Sequence, residues 1–176
     1  MQGYRRNLVP GGTFFFTVNL LDRSSHLLVD EIGTLREAVR LARARMAFHI
    51  DAWVVLPDHM HCVWTLPVGD ADYPARWRMI KAGFSGSLDG RESVCASRAA
   101  KGERGIWQRR HWEHMVHDDR DYAAHLDYVH FNPVNHGRAA CLRDWPYSSF
   151  HYWVRRGVYA ADWGTAVDVG VAGERD

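Results

Sequence analysis

Two histidines, His59 and His61, sit one residue apart in the stretch WVVLPDHMHCVWTL, positions 53–66. The flanks are β-branched, aromatic and apolar, a pattern of two short strands joined at Pro57-Asp58. Alternate side chains of a strand share a face. His59 and His61 therefore project together, while Met60 and Cys62 point the other way. Their Cα atoms lie about 6.6–6.8 Å apart, so both imidazoles can lean onto one metal ion at about 2.0–2.1 Å each. The same spacing also serves a packed or polar strand. The pair needs a partner elsewhere in the chain.

A candidate partner lies in DYAAHLDYVHFNPVNHG, positions 121–137. Asp118 is placed to cap a helix there, with Asp121 as an acidic first-turn residue. Tyr122, Leu126 and Val129 recur with helical period and form a buried stripe. Tyr128 and Asn132, four apart, share a different face, and His125 lies on it three residues before Tyr128. Pro133 is expected to end the helix, because the residue before a proline avoids the α region. That would leave the Asn132 amide free to turn toward a ligand. A second candidate is Glu113, which with His59 and His61 would make a two-histidine, one-carboxylate set. His125 or His130 could also contribute.

The two stretches together resemble the HUH single-strand nucleases. More closely, the chain is similar to the REP-associated tyrosine transposases, relatives of the single-tyrosine transposases of bacterial insertion sequences. The likeness runs through GGTFFFTVNL, AWVVLPDHMHCVWTLP, IWQRRHWEH, DYVHFNPVNHG and DWPYSSFHYWV, and spans most of positions 4–164. The resemblance implies that Tyr128 attacks a DNA phosphate, giving a 5′-phosphotyrosine and a free 3′-hydroxyl. It implies a third metal ligand one turn after the tyrosine, at Asn132, whose amide oxygen suits Mg²⁺ or Mn²⁺. It implies a DNA hairpin of the REP-palindrome type, with single-stranded flanks, as partner. Insertion-sequence relatives act as dimers and the palindrome-associated branch as monomers, so a monomer is expected and a dimer is the alternative. The rival function on the same fold is a hairpin-binding regulator that does not cut.

Positioning these groups requires a sheet with helices. Thr13–Leu20 reads as a first strand, and 34–46 as a helix opened by a Thr34/Glu37 capping box. Positions 49–56 and 59–66 read as antiparallel neighbours, 73–85 as a helix with Trp77, Ile80 and Phe84 buried, and 106–116 as a long fourth strand. The tyrosine helix follows at 119–132. The expected fold is α+β: a ferredoxin-like β-α-β-β-α-β antiparallel sheet with an added C-terminal helix bearing Tyr128. Positions 86–105 are rich in Gly, Ser and charge and read as a mobile loop. The domain is expected to span 1–164, with 165–176 a loose tail.

The chain has 176 residues and a formal net charge of +1, so bulk charge does not announce a nucleic-acid partner. The arginines are grouped instead. Arg5 with Arg6, Arg36 with Arg40, Arg76 and Arg78 with Lys81, and Arg109 with Arg110 are candidate phosphate contacts, since the guanidinium fork matches phosphate. Cys62, Cys95 and Cys141 are odd in number and widely spaced, so no disulfide framework follows and a reducing cytoplasm fits, a bacterial one as the resemblance implies. No apolar run long enough for a membrane span is present.

Overall fold

The computed structural model describes residues 8–90 and 96–164. Arg5, Arg6, part of the expected 86–105 loop and the expected 165–176 tail lie outside the described residues.

The chain runs β1 (Thr13–Asn19), α1 (Leu27–Asp30), α2 (Ile32–Arg45), β2 (His49–Val55), β3 (His59–Thr65), α3 (Tyr73–Ser87), α4 (Ala96–Ala99), β4 (Trp112–Met115), α5 (Asp119–Asn135), a 3-10 turn (Leu142–Asp144) and α6 (Phe150–Arg155). The fold is α+β. Four antiparallel strands lie in the order β2-β3-β1-β4. The tight Pro57-Asp58 link makes β2 and β3 neighbours, with Val55 opposite Met60 and Val54 opposite His61.

Alternation along β1 and β3 sorts the side chains into two layers. Phe14, Phe16, Met60, Cys62 and Trp64 turn to one side and pack with Leu35, Val39, Trp77, Ile80 and Phe84 of α2 and α3. Phe15, Ala52, Val54 and Val63 turn to the other and meet Leu126, Tyr128 and Val129 of α5. No helix among the described residues is long and apolar enough to cross a membrane.

Four expectations need correction. α2 starts at Ile32, not at a Thr34 cap. α1 leads into it through Glu31, Thr34 donates back to the Glu31 carboxylate at 3.0 Å, and Glu37 pairs with Arg40 instead. The fourth strand is short. Trp107 meets Leu20 in a single bridge, and the ladder with β1 resumes only at Trp112. Between them Arg109 is drawn off to Glu103 and Ser97, while His111 tucks beside Tyr73 and Trp77. Positions 96–99 of the expected loop form the helical turn α4.

The fourth correction concerns the tyrosine helix. α5 passes through Pro133 and continues to Asn135. A proline removes one N–H, and the next donors still close their bonds: His136 N–H to Asn132 O at 3.0 Å, and Gly137 N–H to Val134 O at 2.9 Å. The true stop is Gly137, whose φ of +61° ends the helix in the left-handed region that glycine tolerates. At the other end the Asp118 carboxylate accepts from Asp121 N–H, as expected for the cap.

Candidate active site

α5 is fastened to the sheet at three points along its length. Near its start, Tyr122 donates to Asp51 of β2 at 2.9 Å. Midway, the Tyr128 ring stands edge-on to His61 at 5.2 Å and to Phe15 at 5.6 Å between ring centroids. Just beyond the last turn, His136 meets His59 at 5.0 Å. Tyr128, Asn132 and His136 are spaced four apart, so they form one stripe down the helix. The stripe lies over the face of β3 that carries the histidine pair.

The histidines converge as their strand predicts. The rings of His59 and His61 are 5.0 Å apart and nearly perpendicular. His59, His61 and His136 each offer a nitrogen within 4.8 Å of the others. Both strand histidines are held from behind. His59 Nδ1 bonds the Asp58 carboxylate at 2.8 Å, and His61 Nδ1 bonds the Thr17 hydroxyl at 2.8 Å. With the proton on each Nδ1, the Nε2 lone pairs are left to face a ligand. Arg23 completes the support, with Nε 3.0 Å from Asp58 and its side chain 46% exposed.

Burial sets the charge state. Desolvation pushes His59 below its ordinary range, with the Asp58 bond and charge pulling back. It pushes His61 well below, and the neighbouring His59, His136 and Arg23 charges add to the shift. Desolvation also lowers His136, with Asp58 opposing. Neutral imidazoles at neutral pH are the form that binds metal.

Two buried acceptors in this region have no hydrogen-bond partner, His61 Nε2 and Asn132 Oδ1. A buried polar atom without a partner costs about 1–3 kcal/mol, so two on one face call for a ligand. Three imidazole nitrogens and an amide oxygen are a fitting donor set for a divalent cation. His136 is the ligand candidate that sequence reasoning passed over. Its signal was present, a histidine one turn beyond Asn132, but the assumed stop at Pro133 removed that turn from view.

The alternative ligands fall elsewhere. Glu113 lies opposite Phe16 and faces α3, where it accepts from Tyr73 at 3.0 Å. The sheet separates it from His59 and His61. His125 groups with His114 and Asp121 in a second cluster. His130 bonds Ser149 at 2.9 Å and packs against Phe150 and Tyr159.

The basic residues divide. Arg76 is not free for phosphate: it is 1% exposed and bonds Asp70, the Asp72 carbonyl and the Ala47 carbonyl. Arg109 is committed to Glu103 and Ser97, and Lys81 to the Gln108 carbonyl. Arg36, Arg40, Arg78 and Arg110 are exposed, Arg40 in an ion pair with Glu37. Trp112 is an exposed aromatic on the α5 side of the sheet, 42% accessible and edge-on to Phe15 at 5.5 Å.

No protein-family model matches the chain. Whole-chain relatives do. The chain is 46% identical over 175 residues to a REP-associated tyrosine transposase of Escherichia coli (strain K12), covering 99% of this chain and 98% of that protein. It is 41% identical over 175 residues to a putative REP-associated tyrosine transposase of Haemophilus influenzae, covering 99% of both. Among solved structures, a REP-associated tyrosine transposase bound to a REP hairpin superposes with a TM-score of 0.83 at 47% identity, over 100% of this chain and 99% of that one.

Proposed function

The chain belongs to the REP-associated tyrosine transposases, and from that membership and its geometry we propose that it binds REP-type DNA hairpins and cuts and rejoins single-stranded DNA through Tyr128. The observation that carries this reading is the 5.2 Å approach of the Tyr128 ring to His61 within one chain. The nucleophile and the histidines need no second subunit to meet, which supports action as a monomer.

In the proposed reaction the Tyr128 oxygen attacks phosphorus, the 3′ oxygen leaves as a hydroxyl, and the 5′ phosphate stays on the tyrosine. One phosphodiester replaces another, so strand joining is the reverse step and needs no ATP. A phenol titrates near 10 and is a weak nucleophile unless its environment is polarised. A divalent ion held by His59, His61 and His136, with Asn132 as a further ligand, would supply Lewis-acid charge at the phosphate. Of Mg²⁺ and Mn²⁺, the nitrogen-rich set favours Mn²⁺. Asp58 and Thr17 fix the imidazole orientation, and Arg23 sets a positive charge beside the ligand-bearing strand. Trp112 offers a ring on which an unpaired base could stack, a contact of about 1–3 kcal/mol. Exposed Arg36, Arg40, Arg78 and Arg110 are candidates to follow the phosphates.

We also read the strand order β2-β3-β1-β4 as the ferredoxin-like split βαβ arrangement, with residues 1–164 as one domain working in the bacterial cytoplasm. The test uses a labelled hairpin with single-stranded flanks and Mn²⁺. The native protein gives a covalent adduct that survives denaturing gel electrophoresis, and EDTA removes it. Tyr128→Phe gives none and keeps hairpin affinity within a few-fold. An adduct from that variant sinks the assignment. Tight hairpin binding by the native protein with no adduct favours the non-cutting regulator.

A further inference from the structure

A second group of metal-ligating side chains sits at the other end of α5, and the reaction proposed above does not use it. His114 on β4 reaches Asp121 Oδ2 with Nε2 at 2.9 Å. His125, one turn along the helix, reaches Asp121 Oδ1 with Nδ1 at 2.9 Å. The donor atoms of all three lie within 4.8 Å of one another. We propose that His114, Asp121 and His125 form a second divalent-metal site, one for a borderline transition ion such as Zn²⁺ or Co²⁺.

Three observations carry this. The first is ring placement. The His114 and His125 rings lie 4.6 Å apart and 18° from parallel, where those of His59 and His61 lie 5.0 Å apart and nearly perpendicular, so one ring must turn for both in-plane lone pairs to meet an ion. The second is the donor set. Two imidazoles and one carboxylate are the ligands that zinc and cobalt favour, whereas Mg²⁺ prefers an all-oxygen shell. His114 Nε2 and His125 Nδ1 each stand 2.9 Å from a different Asp121 oxygen, and all donors lie within 4.8 Å, against edges near 3.3 Å in a tetrahedron with bonds of about 2.0–2.1 Å. The third is access. Side-chain exposure falls from 29% at His114 through 21% at Asp121 to 7% at His125, so the group opens to solvent on one side only. His117 stands on that open side, its ring 5.5 Å from His114, where it or water completes the shell.

To ligate, His114 Nε2 and His125 Nδ1 each give up their hydrogen bonds to the Asp121 carboxylate, and His125 Nδ1 also gives up its 2.9 Å bond to the Asp121 carbonyl oxygen. Asp121 keeps its bond from the His117 N–H at 2.9 Å, so the carboxylate stays anchored while it ligates. The ion would tie the edge strand β4 to the first turns of the helix that carries Tyr128. Its effect is then on the seating of that helix, with the Phe15 ring standing between His125 and His61.

The test counts ions on the full-length protein with Co²⁺, read by its visible d–d absorption and by equilibrium dialysis. The native protein is expected to take two equivalents. His59→Ala/His61→Ala keeps one, and Zn²⁺ displaces it. His114→Gln/His125→Gln loses the equivalent that the first variant keeps. No bound ion in the His59→Ala/His61→Ala variant, folded by circular dichroism, overturns the proposal. So does a second equivalent that persists at full affinity in the glutamine variant. Should that variant not fold, Asp121→Asn, checked by circular dichroism, is expected to weaken the second equivalent at least tenfold, and unchanged affinity there overturns the proposal. The readout is metal content, so it stands or falls apart from strand cleavage.

Discussion

The two faces of the sheet follow different rules. Against α2 and α3 lie Phe14, Phe16, Met60, Cys62 and Trp64, with Trp64 stacked on Trp77 at 4.2 Å. The indole N–H groups of Trp64 and Trp77 go unpaired there. Under α5 the same strands present His59, His61, Thr17 and Phe15, and the unpaired atoms include His61 Nε2 and Asn132 Oδ1. The core face leaves an acceptor too, Glu113 Oε2, but it stands between Tyr73 and His111 in no cluster of three metal-ligating groups among the described residues. The difference lies in the company of what is left over. Under α5 the spare His61 Nε2 belongs to a group of three histidines whose nitrogens lie within 4.8 Å of one another. One face is spent on stability, and the other trades some of it for a site.

The sharpest way to break this comparison is to remove mass from the core face. Trp77 is 1% exposed, and Trp77→Ala is expected to cost about 3–5 kcal/mol in denaturant unfolding. His61→Ala, on the other face, is expected to cost less than about 2 kcal/mol while removing a proposed metal ligand. Equal losses from the two variants would show that the faces are not specialised.

A pH titration sharpens the contrast without a core mutation. Burial pushes His130, on α5, down to about 3 from an ordinary 6.5, and pushes His61 well below its ordinary range. The unfolded chain therefore takes up these protons first. Stability is full above about pH 6.5 and falls as pH drops from there toward about 3, by at most about 1.4 kcal/mol per pH unit for each group. His130→Gln should flatten that fall. Trp77→Ala should shift the whole curve down in parallel, and a change in its slope would argue against this division.

Legibility in the sequence followed the same division. Period-two alternation announced which strand residues face together, and His59 and His61 do share a face with Thr17 and Phe15. The helical period placed Tyr128 on the stripe that meets them. What alternation could not give was the rest of the sheet. Glu113 was a plausible ligand until its register opposite Phe16 put it across the sheet. Arg76 read as a surface cation because spacing carries no information on Asp70 and the Ala47 carbonyl waiting beneath it. His136 was lost to a local rule about proline that the flanking helical bonds override.

A third expectation concerns support. Asp58 holds His59 Nδ1 at 2.8 Å and is itself held by Arg23. Asp58→Asn keeps the shape and removes the charge. Loss of such an orienting partner typically weakens metal binding by about 10–100-fold. Calorimetry with Mn²⁺ checks it. If affinity is unchanged, the carboxylate does not set the imidazole, and the division of labour on this face is drawn too finely.

The smallest expected effect comes from a pair of arginines two residues apart on α3. Arg76 is enclosed, its guanidinium bound to Asp70 at 2.6 Å. Arg78 is exposed, and the described residues give it no side-chain hydrogen bond or ion pair. Removing Arg78 should leave stability within about 0.5 kcal/mol, as for most surface changes. If Arg78 touches a phosphate, Arg78→Ala weakens hairpin binding a few-fold and lowers the slope of log affinity against log salt by about 1. An unchanged slope removes Arg78 from the DNA path and leaves α3 a helix of the core face alone. A changed slope means that the nucleic acid reaches round to the face away from Tyr128. The two faces would then divide stability from chemistry, but not from binding.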